Sequence, residues 1–109
     1  MIVQGHEITQ TLTRKAHTVV VGSGSGGAVV AHRLATAGVE VVVLEEGGYF
    51  TKKDFTQREN QMFPALYRAG AQQMSDDGLI NVLQGSCFGG STVINTADCV
   101  PIPPEMFEH

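Results

Sequence analysis

Two short apolar runs stand out from the polar background of this chain. Residues 18–22, Thr-Val-Val-Val-Gly, and residues 39–45, Val-Glu-Val-Val-Val-Leu-Glu, are nearly unbroken in β-branched residues. Such runs predict strands buried on both faces, as in a parallel sheet, and not strands that alternate between core and solvent. Between them, residues 24–37 have helical spacing. Gly27, Ala31, Leu34 and Ala35 share one stripe with Val30, while His32 and Arg33 point elsewhere. Gly38 then stands where a left-handed C-cap is wanted. Strand, helix and strand within roughly 28 residues predict one right-handed βαβ unit over about 18–46, and with it an α/β fold of Rossmann-like type.

Outside that unit the pattern is weaker. Residues 2–4 and 7–13 flank Gly5-His6 and predict a short hairpin. Asp54 with Gln57 three residues on resembles a capping box. Phe55, Glu59, Met62, Phe63, Leu66 and Tyr67 follow at helical spacing, with Pro64 expected to kink or restart the helix. Asp77-Gly78 predicts a turn, with a strand over 79–84 behind it. Residues 97–103 read as extended, and Pro104 to His109 has the chemistry of a helix start. A helix that begins there cannot stabilise itself, and two parallel strands leave open edges. The expectation is an incomplete unit, either truncated or in need of a partner chain, with a frayed natural C-terminus as the plainer alternative.

Composition narrows the class. A chain of 109 residues suits one small domain, and 42% hydrophobic with 17% charged residues suits a globular one. The 13 glycines are about twice the usual share of roughly 7%. They cluster at 22–27, 47–48 and 85–90, which marks three tight backbone sites. A net charge of −4 without a run of Lys or Arg provides no electrostatic footprint for nucleic acid or an anionic membrane. No stretch reaches the roughly 18–20 apolar residues of a spanning helix, because His32 and Arg33 interrupt the best candidate. The first residues lack the features of a signal peptide. Cys87 and Cys99 have neither metal-ligand spacing nor the number for a disulfide framework, so a reduced, cytoplasmic protein is the default expectation. His6, His17, His32 and His109 are scattered, and surface positions are expected for them rather than a metal site.

The first glycine cluster, Gly22-Ser23-Gly24-Ser25-Gly26-Gly27, satisfies G-x-G-x-x-G between a buried strand and a helix, with an acid at the end of the next strand. Gly22 makes the tight exit from the strand, Gly24 leaves room for a pyrophosphate, and Gly27 lets the helix lie close to the sheet. The helix N-terminus then faces the phosphate charges. Glu45, 18 residues beyond Gly27, can accept from both ribose hydroxyls and would repel a 2′-phosphate. Glu46 is the adjoining candidate, read more simply as a solvated neighbour. The bland alternative is a tight turn and a strand cap.

The second cluster, Gly85-Ser86-Cys87-Phe88-Gly89-Gly90-Ser91-Thr92-Val93-Ile94-Asn95, can supply donors around a flat, polar-edged ring or a phosphate. It resembles the first signature of the glucose–methanol–choline (GMC) oxidoreductases. Val-Val-Val-Gly-Ser-Gly-Ser-Gly-Gly and Val-Val-Val-Leu-Glu-Glu-Gly-Gly resemble that family's N-terminal FAD fingerprint. Among its subgroups the long-chain fatty alcohol oxidases are most similar, through Tyr49-Phe50-Thr51 and Asp54-Phe55. Ser86 and Cys99 depart from the usual pattern. The resemblance implies that Gly22, Gly24 and Gly27 cradle the pyrophosphate of FAD, that Glu45 holds the adenosine ribose, and that Gly89, Gly90, Ser91 and Asn95 lie along the flavin and its ribityl chain. Ile94 stands where some relatives carry a FAD-tethering His, so non-covalent FAD is expected. It also implies an alcohol substrate and a catalytic His in a C-terminal half, to which none of the four histidines here corresponds. Cys87 is expected to be a buried, inert thiol. Three readings stay open: the FAD-binding part of an alcohol oxidoreductase, a non-catalytic nucleotide-binding subunit, or another NAD- or flavin-dependent protein whose second segment matches by accident.

Overall fold

The computed structural model describes residues 1–95 together with Pro103 and Met106. Strand β1 (Thr18–Val21), helix α1 (Ser25–Thr36) and strand β2 (Val41–Leu44) form the expected βαβ unit. The strands are parallel, with Thr18 opposite Val41 and Val21 opposite Leu44. Backbone bonding continues past both ends, from the Thr18 N–H to the Glu40 carbonyl (3.2 Å) and from the Gly22 N–H to the Leu44 carbonyl (2.7 Å). Helix α1 ends as its sequence predicts. Gly38 has φ +81°, its N–H bonds the Ala35 carbonyl, and the Val39 N–H bonds that of Leu34. That pair of bonds is a Schellman motif.

The helix meets the sheet through Gly27, Ala31 and Leu34, which are half-buried, while Val30 and Ala35 of the expected stripe stay exposed. Gly27 sets the spacing. A Cβ there would lie 2.1 Å from the Gly22 carbonyl oxygen and 3.3 Å from Val20 Cγ1, so any side chain would push the helix off the sheet.

The expectation that both strands are buried on both faces does not hold. Side chains alternate across a strand, so Val20 lies beneath α1 while Val19, Val21 and Leu44 face away. Val21 is 83% exposed. No second layer covers that face among the described residues, where the enclosed side chains are Leu66, Cys87 and Ser23. The accessible surface is accordingly 9037 Å², against about 5,800 Å² for a folded monomer of this mass. The radius of gyration is 17.0 Å, against roughly 13 Å for a compact chain of this length.

Several expectations for the flanks also change. Residues 2–13 form no hairpin; Gly5–Glu7 is a single 3-10 turn, and Ile2, Val3, Ile8 and Leu12 stay exposed, with no third strand among the described residues to steady a hairpin. Asp54 does not open a helix. Its carboxylate turns back to accept from the Thr51 N–H (2.6 Å) and Oγ1 (2.7 Å), and Gln57 takes φ +60°, so helix α2 begins later and spans Glu59–Leu66. Pro64 sits inside α2, and the chain restarts as a 3-10 turn over Arg68–Ala71. The Asp77-Gly78 turn forms, with Gly78 at φ +70°, but the strand over 79–84 does not. Isolated bridges join Met74 to Asn81 and Tyr67 to Gly85, while Leu79, Ile80 and Leu83 remain exposed. The extended stretch at 97–103, with Cys99, and the helix start at 104–109 lie outside the described residues, except that the Met106 N–H bonds the Pro103 carbonyl (3.0 Å).

Candidate functional site

The two glycine-rich segments meet at the carboxyl ends of β1 and β2. A Cβ on Gly90 would stand 2.9 Å from Gly24 Cα, and the Gly89 N–H donates to Ser23 Oγ at 2.8 Å. The strap from Gly85 to Gly90 gets there by bonding two other elements. The Ser86 N–H bonds the Leu66 carbonyl (2.7 Å), and the Phe88 N–H bonds that of Gly48 (2.9 Å). Glycine is required along it. A Cβ on Gly47 would fall 2.1 Å from the Ser86 carbonyl, and one on Gly85 would fall 2.6 Å from that of Gly90. Between the segments opens a cleft of about 390 Å³, lined by Gly22, Gly24, Glu45, Glu46, Arg68, Gln84, Gly85, Gly90 and Ser91. A larger hollow of about 510 Å³ runs from Glu45–Gly48 toward Met1–His6. Its lining includes Gly47, Gly48 and Phe88 but neither the glycine loop of residues 22–27 nor the N-terminus of α1, so the smaller cleft is the better-equipped site.

The glycines of the first motif divide by what they answer to. Gly22 has φ +88°, a conformation that costs other residues dearly. Gly27 answers to helix–sheet contact, as above. Gly24 has φ −63°, which any residue adopts, and a Cβ on Gly24 or Gly26 would meet nothing within 4 Å. Neither conformation nor internal packing calls for glycine at those two positions. The open space in front of them is a cradle that a Cβ would fill. It lies at the N-terminus of the 12-residue α1, whose first turn has no side-chain cap and no acid, so the N–H groups there have no helical partner. A pyrophosphate fits this donor set in charge and in reach.

Glu45 closes one end of the cleft. Its Oε2 accepts from the Ser23 N–H (2.8 Å) and the Ser23 hydroxyl (2.6 Å), and its Oε1 accepts from the Gly47 N–H (3.0 Å). Partial burial pushes the carboxyl up, but bonds from the Ser23 hydroxyl and the Gly47, Ser23 and Glu46 backbone outweigh it. The net result is below the ordinary carboxylate range. Glu46 is exposed, and its Oε1 accepts from Arg68 Nε (3.0 Å) and pairs with Nη2. Ser25 and Gly26 are exposed at the helix mouth. Ser91 Oγ accepts from the Gly85 N–H (3.0 Å), and the Asn95 amide donates to the Thr92 carbonyl. Gly90–Thr92 is a 3-10 turn entered through Gly89 at φ +99°. Cys87 is the enclosed thiol that the sequence suggests. Burial, and then the Glu45 charge, push its pKa up, which keeps it protonated and unreactive.

Sequence reasoning did not identify Arg68, a cation on the cleft wall, because its pairing spans 22 residues and leaves no local pattern. The bridging role of Ser23, between Glu45 and a backbone group 66 residues away, was equally invisible.

A glycine loop, a helix N-terminus and an acid at the end of the second strand define a dinucleotide-binding βαβ unit. Residues 20–77 match the NAD(P)-binding Rossmann-like domain, and the chain belongs to that family. Its homologues are GMC oxidoreductases. It is 42% identical over 95 residues to long-chain-alcohol oxidase FAO3 of Arabidopsis thaliana, covering 87% of this chain and 13% of that protein. It is 44% identical over 87 residues to the uncharacterized GMC-type oxidoreductase Rv0492c of Mycobacterium tuberculosis, covering 78% and 14%. A cholesterol oxidase of Mycobacterium tuberculosis is 34% identical over 94 residues, covering 82% and 16%. The chain thus spans between 12 and 16% of the length of the four long-chain-alcohol oxidases it matches. No solved structure matches it significantly. Among the described residues no helix is long and apolar enough to cross a membrane, and none of them form a cluster that could hold a metal ion.

Proposed function

We propose that this chain is the FAD-binding portion of a flavin-dependent alcohol oxidoreductase of the GMC type, working in the cytoplasm on a small-molecule alcohol. The observation that carries this reading is the backbone contact between Gly24 and Gly90. It makes the phosphate loop and the second glycine segment two walls of one cleft. In this reading the whole chain, 1–109, is one N-terminal portion, with the βαβ unit at about 18–46 and the flavin segment at about 85–95.

Bound FAD would accept a hydride from the carbinol carbon as the alcohol becomes a carbonyl. The work of this chain is to bind and orient. Gly22 to Gly27 receive the pyrophosphate on the free N–H groups of α1, with Ser23 and Ser25 flanking it. Glu45 receives the ribose diol, and Glu46 holds Arg68 at the rim. Gly89, Gly90, Ser91 and Asn95 line the flavin side. Ile94, where a tethering His would stand, leaves the cofactor non-covalent. No residue here is assigned the proton transfer, which falls to the rest of the enzyme or a partner chain. The match of residues 20–77 to an NAD(P)-binding domain favours, as a second reading, a nicotinamide dinucleotide, which needs the first glycine loop alone.

Titration of the purified protein with FAD and with NAD, followed by absorbance and by protein fluorescence, separates the two. FAD that binds and is released by acid precipitation is the expected result. Binding of NAD alone would replace this reading with the second. Flavin that stays with the acid-precipitated protein would overturn the non-covalent assignment.

A further inference from the structure

Ser23 is only 4% exposed, yet it bonds both Glu45 and the second glycine segment. Its backbone N–H and hydroxyl both donate to Glu45 Oε2, at 2.8 and 2.6 Å. The same hydroxyl oxygen accepts from the Gly89 N–H at 2.8 Å. One oxygen therefore stands between an acid at the end of β2 and a glycine within the second segment.

We propose that Ser23 is a positioning residue that fastens the Glu45 carboxylate to the backbone of Gly89, so that the ribose end and the flavin-facing segment of the site are set as one unit. This rests on the dinucleotide reading above and adds a residue role to it. A carboxylate offers about four acceptor positions. Ser23, Gly47 and the Glu46 backbone already fill those of Glu45, whereas a ribose diol brings two donors. Seating the hydroxyls thus requires internal bonds to yield. The Ser23 and Gly47 N–H groups are fixed by their loops, while the Ser23 hydroxyl hydrogen turns freely about its C–O bond. It yields first, and its oxygen keeps the Gly89 N–H while it does so.

The link is tested without cofactor, by amide hydrogen exchange on the whole protein. Ser23→Ala is expected to speed exchange at Gly89 by about tenfold, the loss of one hydrogen bond to a partly buried amide. Glu45→Ala, which removes a group that does not touch Gly89, is expected to speed it several-fold. Ser23→Thr keeps the hydroxyl and restores protection toward wild type. Amides of α1 such as Leu34 and Ala35 report global opening, and the change at Gly89 is read relative to theirs. If Glu45→Ala leaves Gly89 at its wild-type rate, Ser23 only caps Gly89 and the fastening is refuted. If Ser23→Ala leaves that rate unchanged, the bond itself is refuted. Failure of the dinucleotide reading looks different: wild-type protein would bind neither FAD nor NAD while the exchange coupling persisted.

Discussion

The stretch from Thr18 to Gly48 and the stretch from Tyr49 to Gln84 are nearly equal in length, and they answer to different physics. In the first, strand, glycine turn, helix, left-handed cap and strand all fall where short-range rules put them. Each is held by bonds to near neighbours or to one parallel partner. In the second, the turns and the short helix α2 behave locally, while the predicted strand does not form. The Asp77 carboxylate accepts from Ser75 Oγ (2.5 Å) and the Leu79 N–H (3.1 Å), as an Asp-Gly turn predicts. Whether a strand follows depends on a neighbour to pair with, and there the residues meet isolated bridges. Local patterning specifies a unit that completes its own hydrogen bonding, and it under-specifies one that borrows its partners from elsewhere.

The sharpest way to break that contrast is to remove the contact that makes the first region self-sufficient. Gly27→Ala places a Cβ 2.1 Å from the Gly22 carbonyl oxygen, which is backbone and cannot swing away. The helix must lift from the sheet, at a cost of about 3 kcal/mol or more. Urea unfolding of the two proteins measures it. A loss under about 1 kcal/mol would mean that the helix–sheet spacing is soft and that Gly27 is not what sets it.

Gly24→Ala separates folding from binding in the same loop. Its Cβ would meet no atom of the chain and its φ is ordinary, so stability should change by less than about 1 kcal/mol. The methyl occupies the space assigned to the pyrophosphate, and dinucleotide affinity should fall on the order of ten- to a hundredfold. Unchanged affinity beside an unchanged fold would leave Gly24 without a function and move the phosphates off this loop.

Much of the site was legible in the residues, and what was not has a common cause. Gly22, Gly24, Gly27 and Glu45 follow from a motif in which each spacing has a mechanical reason, and the structure brings all of them to one end of the sheet. Gly89 and Gly90 followed from resemblance, and their backbone contact with Ser23 and Gly24 gives that resemblance a physical form. Arg68, and the double duty of Ser23, depend on partners 22 and 66 residues distant, and no window along the chain contains both ends. The strands were read correctly as elements and incorrectly in burial. A β-branched run such as Val19-Val20-Val21 encodes the environment of a doubly covered strand, while the described residues supply the cover for one face.

The smallest effect distinguishes the regions by their acids. Glu45, Asp54 and Asp77 all lie below their ordinary pKa, each through hydrogen bonds that favour the ionised form. A carboxylate depressed in the folded state adds stability above its unfolded value and loses it as pH falls through the folded one. For Glu45 that loss begins near the ordinary 4.5 and runs toward more acid pH. Glu45 is half-buried and its bonds join loops far apart in sequence, so the titration of that group opposes unfolding of the unit. Asp54 and Asp77 are exposed, and they bond residues two or three positions away, an arrangement that an unfolded chain partly keeps. Unfolding midpoints measured from pH 6 down to pH 3 should therefore fall less steeply for Glu45→Gln than for wild type. Asp54→Asn and Asp77→Asn should run parallel to wild type. A slope changed by the Asp54 or Asp77 variant and not by Glu45→Gln would reverse the ranking, and would place the acid-sensitive bonding in the loops instead of at the dinucleotide cleft.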